Sequence, residues 1–225
     1  MQGLPQDIVE RLAWRGRIRA AINLGNPVLA ERSPDGRLGG ISVRLAQALA
    51  RHMDVGLDLI PFDAAGKVVE AAAGDIWDLA FLARDPVRAE QIAFSAPYLT
   101  IEGVYVVRDG SAFYAPGDVD QAGVRVCVGR GAAYDLYLTR SLAQAEIVRC
   151  PSSQQALDDF VAGKGDVAAG IRAAVETLVA SQAGLRLIGE PFMAIEQTLA
   201  VPRAKAAIVP WLDDFLREMK ASGAY

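Results

Sequence analysis

Arg84-Asp85-Pro86-Val87-Arg88-Ala89-Glu90-Gln91-Ile92-Ala93-Phe94-Ser95-Ala96-Pro97-Tyr98 follows directly on the apolar run Asp78-Leu79-Ala80-Phe81-Leu82. Together they read as a buried strand, a turn into a short helix, and an extended exit. Asp85 is placed as the helix N-cap, Pro86 as the first helical residue and Glu90 as an acid in the early helix. The helix is expected to end near Ile92, and Pro97 keeps the following chain extended. One face of the turn presents Arg88.

Upstream, the same logic gives strand and helix in alternation. Asp7 is expected to cap a short helix, and 17–23 reads as a strand. Residues 24–40 carry Gly25, Asn26, Pro27, Pro34, Asp35 and Gly36, all turn formers, and read as a loop. Ile41, Leu45, Ala46, Leu49 and Met53 recur at helical spacing, with Gly56 expected as the stop. A strand over 57–62 and a helix over 67–73 closed by Gly74 lead into the strand at 78–82. This β-α-β-α-β order predicts a parallel sheet with ligands at the C-terminal ends of its strands.

Downstream, the order repeats. Strands are expected at 124–128, 146–149, 166–171 and 185–188, and helices at 132–143, 153–162 and 173–181. Ala73-Gly74-Asp75-Ile76-Trp77-Asp78-Leu79-Ala80 even matches Ala162-Gly163-Lys164-Gly165-Asp166-Val167-Ala168-Ala169 in layout. A last strand at 198–201 and an amphipathic helix from Pro210, with Trp211, Phe215 and Met219 on one face, return to the first half. The expected architecture is therefore α/β, with two similar lobes, central mostly parallel sheets and two hinge strands. Lobe 1 is 1–105 plus 198–225, lobe 2 is 106–197, and the hinges lie near 102–108 and 195–201. Two crossings of this kind make a hinge over a cleft.

Composition narrows the function. The 225 residues are 52% hydrophobic and 22% charged with net charge −4, which is ordinary globular chemistry and argues against a nucleic-acid partner. No apolar run approaches the ~20 residues that span a bilayer, so no membrane insertion is expected. A single histidine excludes a His-based triad and a multi-His metal site. His52 reads as a solvated residue near a helix end, and Cys127 as a buried strand residue. The start, Met1-Gln2-Gly3-Leu4-Pro5-Gln6-Asp7, has no leader pattern. The expected location is periplasmic if a leader has been removed, and otherwise cytoplasmic.

These residues carry a family likeness. Asp35-Gly36 with Gly39-Gly40, Gly74-Asp75 with Asp78, Arg88 with Phe94-Ser95-Ala96-Pro97-Tyr98, and Val128-Gly129-Arg130-Gly131 together resemble the solute-binding proteins of amino-acid ABC uptake systems. These form family 3, with the type II venus-flytrap fold, and the likeness covers nearly the whole chain. The resemblance implies a ligand clamped between lobes, delivery to an ABC permease and a monomeric protein, with no cofactor or metal. It implies that Arg88 grips the ligand α-carboxylate, which suits a planar guanidinium. It also implies that the turn Gly129-Arg130-Gly131-Ala132-Ala133 offers backbone N–H groups to the same anion at a helix N-terminus. The bland alternatives are a surface arginine and a structural strand-to-helix turn.

The sequence also departs from the family. Phe81-Leu82-Ala83-Arg84-Asp85 lacks the hydroxyl residues common before the arginine and is two residues shorter, and Ala132-Ala133 replaces threonines or serines. Ile171-Arg172 stands where an acid normally holds the ligand ammonium, and Asn26 replaces a stacking aromatic. With Arg88, Arg130 and Arg172 as cleft cations, the expected ligand is a small anion, a mono- or dicarboxylate or amino-acid-like molecule. Phe62 and Tyr134 are candidate apolar walls. Asp63, Asp85 and Glu102 are candidate cation holders, with a capping role the first reading of Asp85. The expected activity is binding without catalysis. The alternatives are a cyclohexadienyl or arogenate dehydratase-like enzyme, for which Asp63, Asp85, Glu102 and Glu196 are the available acids, or an orphan cytoplasmic sensor domain.

Overall fold

The computed structural model describes residues 6–223, so the reading of residues 1–5 lies outside the described part. The described chain divides into two compact units, residues 6–99 with 197–223 and residues 100–196. The elements run α1 (Gln6–Leu12), β1 (Arg17–Asn23), β2 (Glu31–Arg32), β3 (Leu38–Gly39), α2 (Ile41–Met53), β4 (Gly56–Phe62), α3 (Ala65–Glu70) and β5 (Leu79–Ala83). They continue with β6 (Ile92–Arg108), β7 (Arg125–Gly129), α4 (Ala133–Ser141), β8 (Glu146–Cys150), α5 (Ser153–Val161) and β9 (Val167–Ile171). The last are α6 (Arg172–Ser181), β10 (Leu185–Leu187), β11 (Met193–Pro202) and α7 (Val209–Ser222). The alternating α/β order and its repetition are as the sequence predicts.

Unit 1 is built on a parallel ladder with β1 between β4 and β5, and β11 lies antiparallel on the far side of β5. Unit 2 repeats the plan, with β7 parallel to both β8 and β9, and β6 antiparallel beside β9. Strand β10 adds to β6. In both units the first strand is central, which places the loops after the three parallel strands at one end of the sheet.

The repeated Gly-Asp punctuation has a physical origin. Asp78, just before β5, donates its backbone N–H to the Arg19 carbonyl at 2.8 Å and accepts from the Arg19 amide at 3.0 Å and its Nε at 2.9 Å. Lys205 Nζ closes on the same carboxylate at 2.5 Å. In unit 2, Asp166 donates to the Arg125 carbonyl at 2.9 Å and accepts from the Arg125 amide at 2.9 Å and its Nε at 3.2 Å. An aspartate before the third parallel strand thus latches it to the first.

Both faces of the unit 1 sheet are covered. Along β5, Leu79 and Phe81 join a core with β1, α2 and α7 residues such as Ile22, Leu45, Leu49, Leu212 and Phe215. Ala80 and Leu82 join the opposite core around Trp77, Val68 and Ile92. This is the period-2 alternation of a strand buried on both sides. In unit 2, Val104, Val106, Cys127, Cys150, Leu157, Phe160 and Ala168 form one core. Cys127 and Cys150 are both buried and unbridged. Burial pushes both thiols up, Cys150 to about 12.

Several local expectations are corrected. Asp7 sits inside the first turn of α1 rather than capping it. Helix α2 is ended by Asp54 in the left-handed region (φ 52°), and Gly56 already belongs to β4. A short aspartate tolerates that conformation, so glycine is not required. The helix expected at 67–73 is α3 followed by a 3-10 turn at Ala71–Gly74, and the loop 24–40 contains the β2–β3 hairpin. In α7, Phe215 is buried and Trp211 and Met219 pack half-buried against the same core, as expected, with Leu212 and Leu216 buried beside them. His52 is exposed near the end of α2, as expected, and packs edgewise on Phe215.

Asp78 is fully buried. Burial pushes its carboxyl up, but hydrogen bonds from Arg19 and Lys205 outweigh this and hold it below the usual carboxylate range. The stability it lends is therefore complete above about pH 4 and is lost as pH falls through the depressed value. Asp78→Ala is expected to cost about 3 kcal/mol, since it removes the buried carboxylate that pairs with the partly buried Arg19 and Lys205. Chemical denaturation at pH 7 measures that loss, and a pH series should show a flatter acid limb in the variant.

Candidate functional site

At the C-terminal end of the unit 1 sheet, the loops after β1, β4 and β5 come together, with Asn23 directly opposite Phe62 in the ladder. A Cβ at Gly25 would lie 2.8 Å from the Asp63 carbonyl, so these loops approach as closely as glycine allows. Asn26 is buried and shapes its own loop: its Oδ1 accepts from the Val28 amide at 3.2 Å, and its carbonyl accepts from the amides of Leu29 and Ala30. Phe62 is half-buried against the core around Trp77. Asp63 is exposed and ion-pairs with Lys67 at 2.7 Å. Phe81 and Leu82 carry their side chains into the two cores, and Ala83 contributes its backbone.

The stretch 84–98 is wired tightly. Asp85 accepts from the Val87 amide at 2.8 Å, and its carbonyl accepts from the Ala89 amide at 3.0 Å. It thus caps the turn, as expected, but the helix is only the 3-10 turn Arg88–Glu90. Anchors on both sides limit it. Arg84 Nη2 donates to the Ser95 carbonyl at 2.7 Å, and Ser95 Oγ accepts from the Leu199 amide at 2.9 Å.

Arg88 is 2% exposed, and its Nη1 donates to the Ala83 carbonyl at 2.8 Å. Burial pushes its guanidinium down to about 10, with the nearby Asp85 charge opposing. It therefore stays protonated at neutral pH. A desolvated cation held by its own strand end is prepared to meet an anion.

In unit 2, the loop after β7 turns at Gly131 (φ 70°) into α4. The Gly131 amide donates to Asp135 Oδ2 at 2.8 Å, and Arg149 Nε donates to Asp135 Oδ1 at 2.9 Å. Arg149 also reaches Thr139 Oγ1 at 2.7 Å, and that hydroxyl donates to the Asp135 carbonyl at 2.7 Å. The backbone donor expected at Gly131 for a ligand anion is thus engaged by the protein's own carboxylate, favoured there by the helix N-terminus. Ala132 is the N-cap and Ala133 the first residue of α4. Tyr134 is buried and donates to Ser153 Oγ at 2.8 Å, with burial pushing its phenol up to about 12.

Arg130 is exposed at the end of the same strand. Arg172 opens α6, where its Nε donates to Glu102 Oε2 and its Nη2 to the Gly189 carbonyl at 2.9 Å. Glu102, read as an acid able to hold a cation, holds this arginine, because the opposite charges share one end of the unit 2 sheet. Asp135 and Arg149 were not singled out from sequence. Asp135 had a signal, an acid in the first turn of a helix after a Gly-x-Gly turn, whereas Arg149 reads only as a strand residue.

The family model of the bacterial extracellular solute-binding proteins, family 3, matches residues 18–225. The chain belongs to this family. Among its relatives, the L-cystine-binding protein TcyJ of Escherichia coli (strain K12) is 24% identical over 222 residues, covering 97% of this chain and 83% of the relative. The cyclohexadienyl dehydratase of Pseudomonas aeruginosa is 25% identical over 224 residues, covering 96% and 82%. The structure of holo ArgBP from T. maritima superposes with a TM-score of 0.80 at 21% identity, covering 96% of this chain and 94% of the other. This family 3 chain therefore has the expected type II periplasmic binding protein fold. No helix among its described residues is long and apolar enough to cross a membrane.

Asp135→Ala is expected to destabilise the folded protein by about 2–3 kcal/mol through loss of charge-assisted hydrogen bonds, with Asp135→Asn losing less. Urea denaturation of the two variants checks the order. Faster hydrogen exchange at the Gly131 amide checks the cause.

Proposed function

We propose that this family 3 protein binds a small carboxylate-bearing solute, amino-acid-like in size, without turnover, and delivers it to an ABC-type permease outside the cytoplasm. The observation that carries the reading is the buried, protonated guanidinium of Arg88 at the C-terminal end of β5, fixed by the Ala83 carbonyl and flanked by Asp85. A guanidinium held in place loses little rotamer entropy on binding, and its fork matches a carboxylate bidentately. Asn26, Phe62 and Asp63 belong to the loops at the same end of the unit 1 sheet, where the close approach at Gly25 fixes the rim. Because Arg172 is answered by Glu102 and Gly131 by Asp135, Arg88 is the principal anion contact in this reading.

A thermal-shift panel of carboxylates, amino acids and amines tests it. A true ligand at about 100 times its Kd adds about 2.7 kcal/mol of stability, or an increase in Tm of roughly 5–10 °C for a chain of this size. Arg88→Lys, which keeps the charge but loses the fork, is expected to weaken that ligand about tenfold or more. A panel flat for every anion sinks the reading, and unchanged affinity in a folded Arg88→Lys protein removes Arg88 from the contact.

A second reading, a dehydratase acting on cyclohexadienyl acids, is favoured by the 25% identity with the Pseudomonas aeruginosa enzyme over 224 residues. Incubation of such acids with the purified protein decides it. Aromatic product formed at a rate above background, and abolished by Asp85→Asn, would promote the enzyme. Binding without product leaves the solute-binding reading in place.

A further inference from the structure

A groove of about 510 Å³ lies within unit 1, and the Arg88 side chain does not line it. Its floor is apolar, with Pro86, Ala89, Ile92, Ala93, Phe94, Ala206 and Val209. Its charged residues are Arg84, Arg203 and Asp85. The Asp85 carboxylate is turned onto the Val87 amide, so the wall is cationic in balance.

The two arginines are separated by the wiring of the backbone. Arg84 donates to the carbonyl of Ser95 at 2.7 Å. Arg203 is held at Gln91, whose carbonyl accepts from its amide at 2.8 Å, and its Nη1 reaches the Ala89 carbonyl at 3.3 Å. The two guanidiniums are thus held at the carbonyls of Ala89 and Ser95, on either side of the start of β6. The half-buried Phe94 therefore lies along the chain between the two guanidinium anchors, over the buried Ile92 and Ala93. Both arginines are exposed, so solvent reaches the groove.

We propose that this groove is a second ligand site, taking an organic dianion with an apolar spine, an α,ω-dicarboxylate in type. Each carboxylate pairs with one arginine, and the spine covers the apolar floor. Fork-shaped donors at a fixed separation select both charge and length, while the floor supplies burial that a small inorganic dianion cannot use.

Suberate is the probe. Calorimetric titration of the full chain with suberate is expected to show saturable binding, weakened about tenfold or more by Arg203→Met and by Arg84→Met and reduced by added salt. Octanoate, with one charge, should bind more weakly, and the corresponding diol should not bind. Arg217→Met, at an exposed position of α7 outside the groove lining, controls for a general loss of charge. Absence of saturable binding overturns the proposal, as does equal affinity of the wild type and an Arg203→Met protein of unchanged Tm. Suberate binding lost in Arg88→Lys but kept in Arg203→Met places the ligand elsewhere and also overturns it. The site does not depend on the solute-binding reading: a flat amino-acid panel leaves it standing.

Discussion

The fold depends on an aspartate placed just before a strand. In each unit the residue ahead of the third parallel strand uses its backbone and carboxylate to grip the arginine of the first strand, Asp78 with Arg19 and Asp166 with Arg125. β-pairing alone sets spacing but leaves a sliding freedom along the strands. A bidentate latch at the N-terminal edge removes it. With the lower ends pinned, the opposite ends of β1, β4 and β5 fall in step, and Asn23, Phe62 and Ala83 arrive at one level. The precision of the upper end is set at the lower one.

A second theme is that charge is answered internally. Arg172 has Glu102, Arg149 has Asp135, and Asp135 engages the amide of Gly131. Each pairing gives a charged or polar group a partner within its own unit. Arg88 is held by the Ala83 carbonyl, and burial pushes its guanidinium down while Asp85 opposes.

The legible parts of this chain were those governed by local rules. The strand at 17–23 and the helix from Ile41 to Met53 follow from periodicity, and the duplicated Gly-Asp punctuation marks the latch itself. Asp85 was readable as a cap because its chemistry acts over two residues. The helix stop at Asp54 was not, because aspartate and glycine compete for the same backbone region and only the actual turn decides. The directions of the Phe81 and Leu82 side chains are not legible for a related reason. A strand covered on both faces hides both alternating side chains, leaving the backbone of Ala83 at the edge. Pairings such as Glu102 with Arg172, separated by 70 residues, have no local signal and emerge only when the sheet is assembled.

The two cysteines carry a consequence for the life of the molecule rather than for its site. Cys127 and Cys150 lie in one core with their thiols pushed up in pKa, so almost no thiolate exists while the chain is folded. Since the thiolate is the species that attacks oxidants and disulfides, folding itself shields this pair from oxidation. The unfolded chain has no such shelter. In an oxidising compartment the competition would therefore be between folding speed and thiol chemistry.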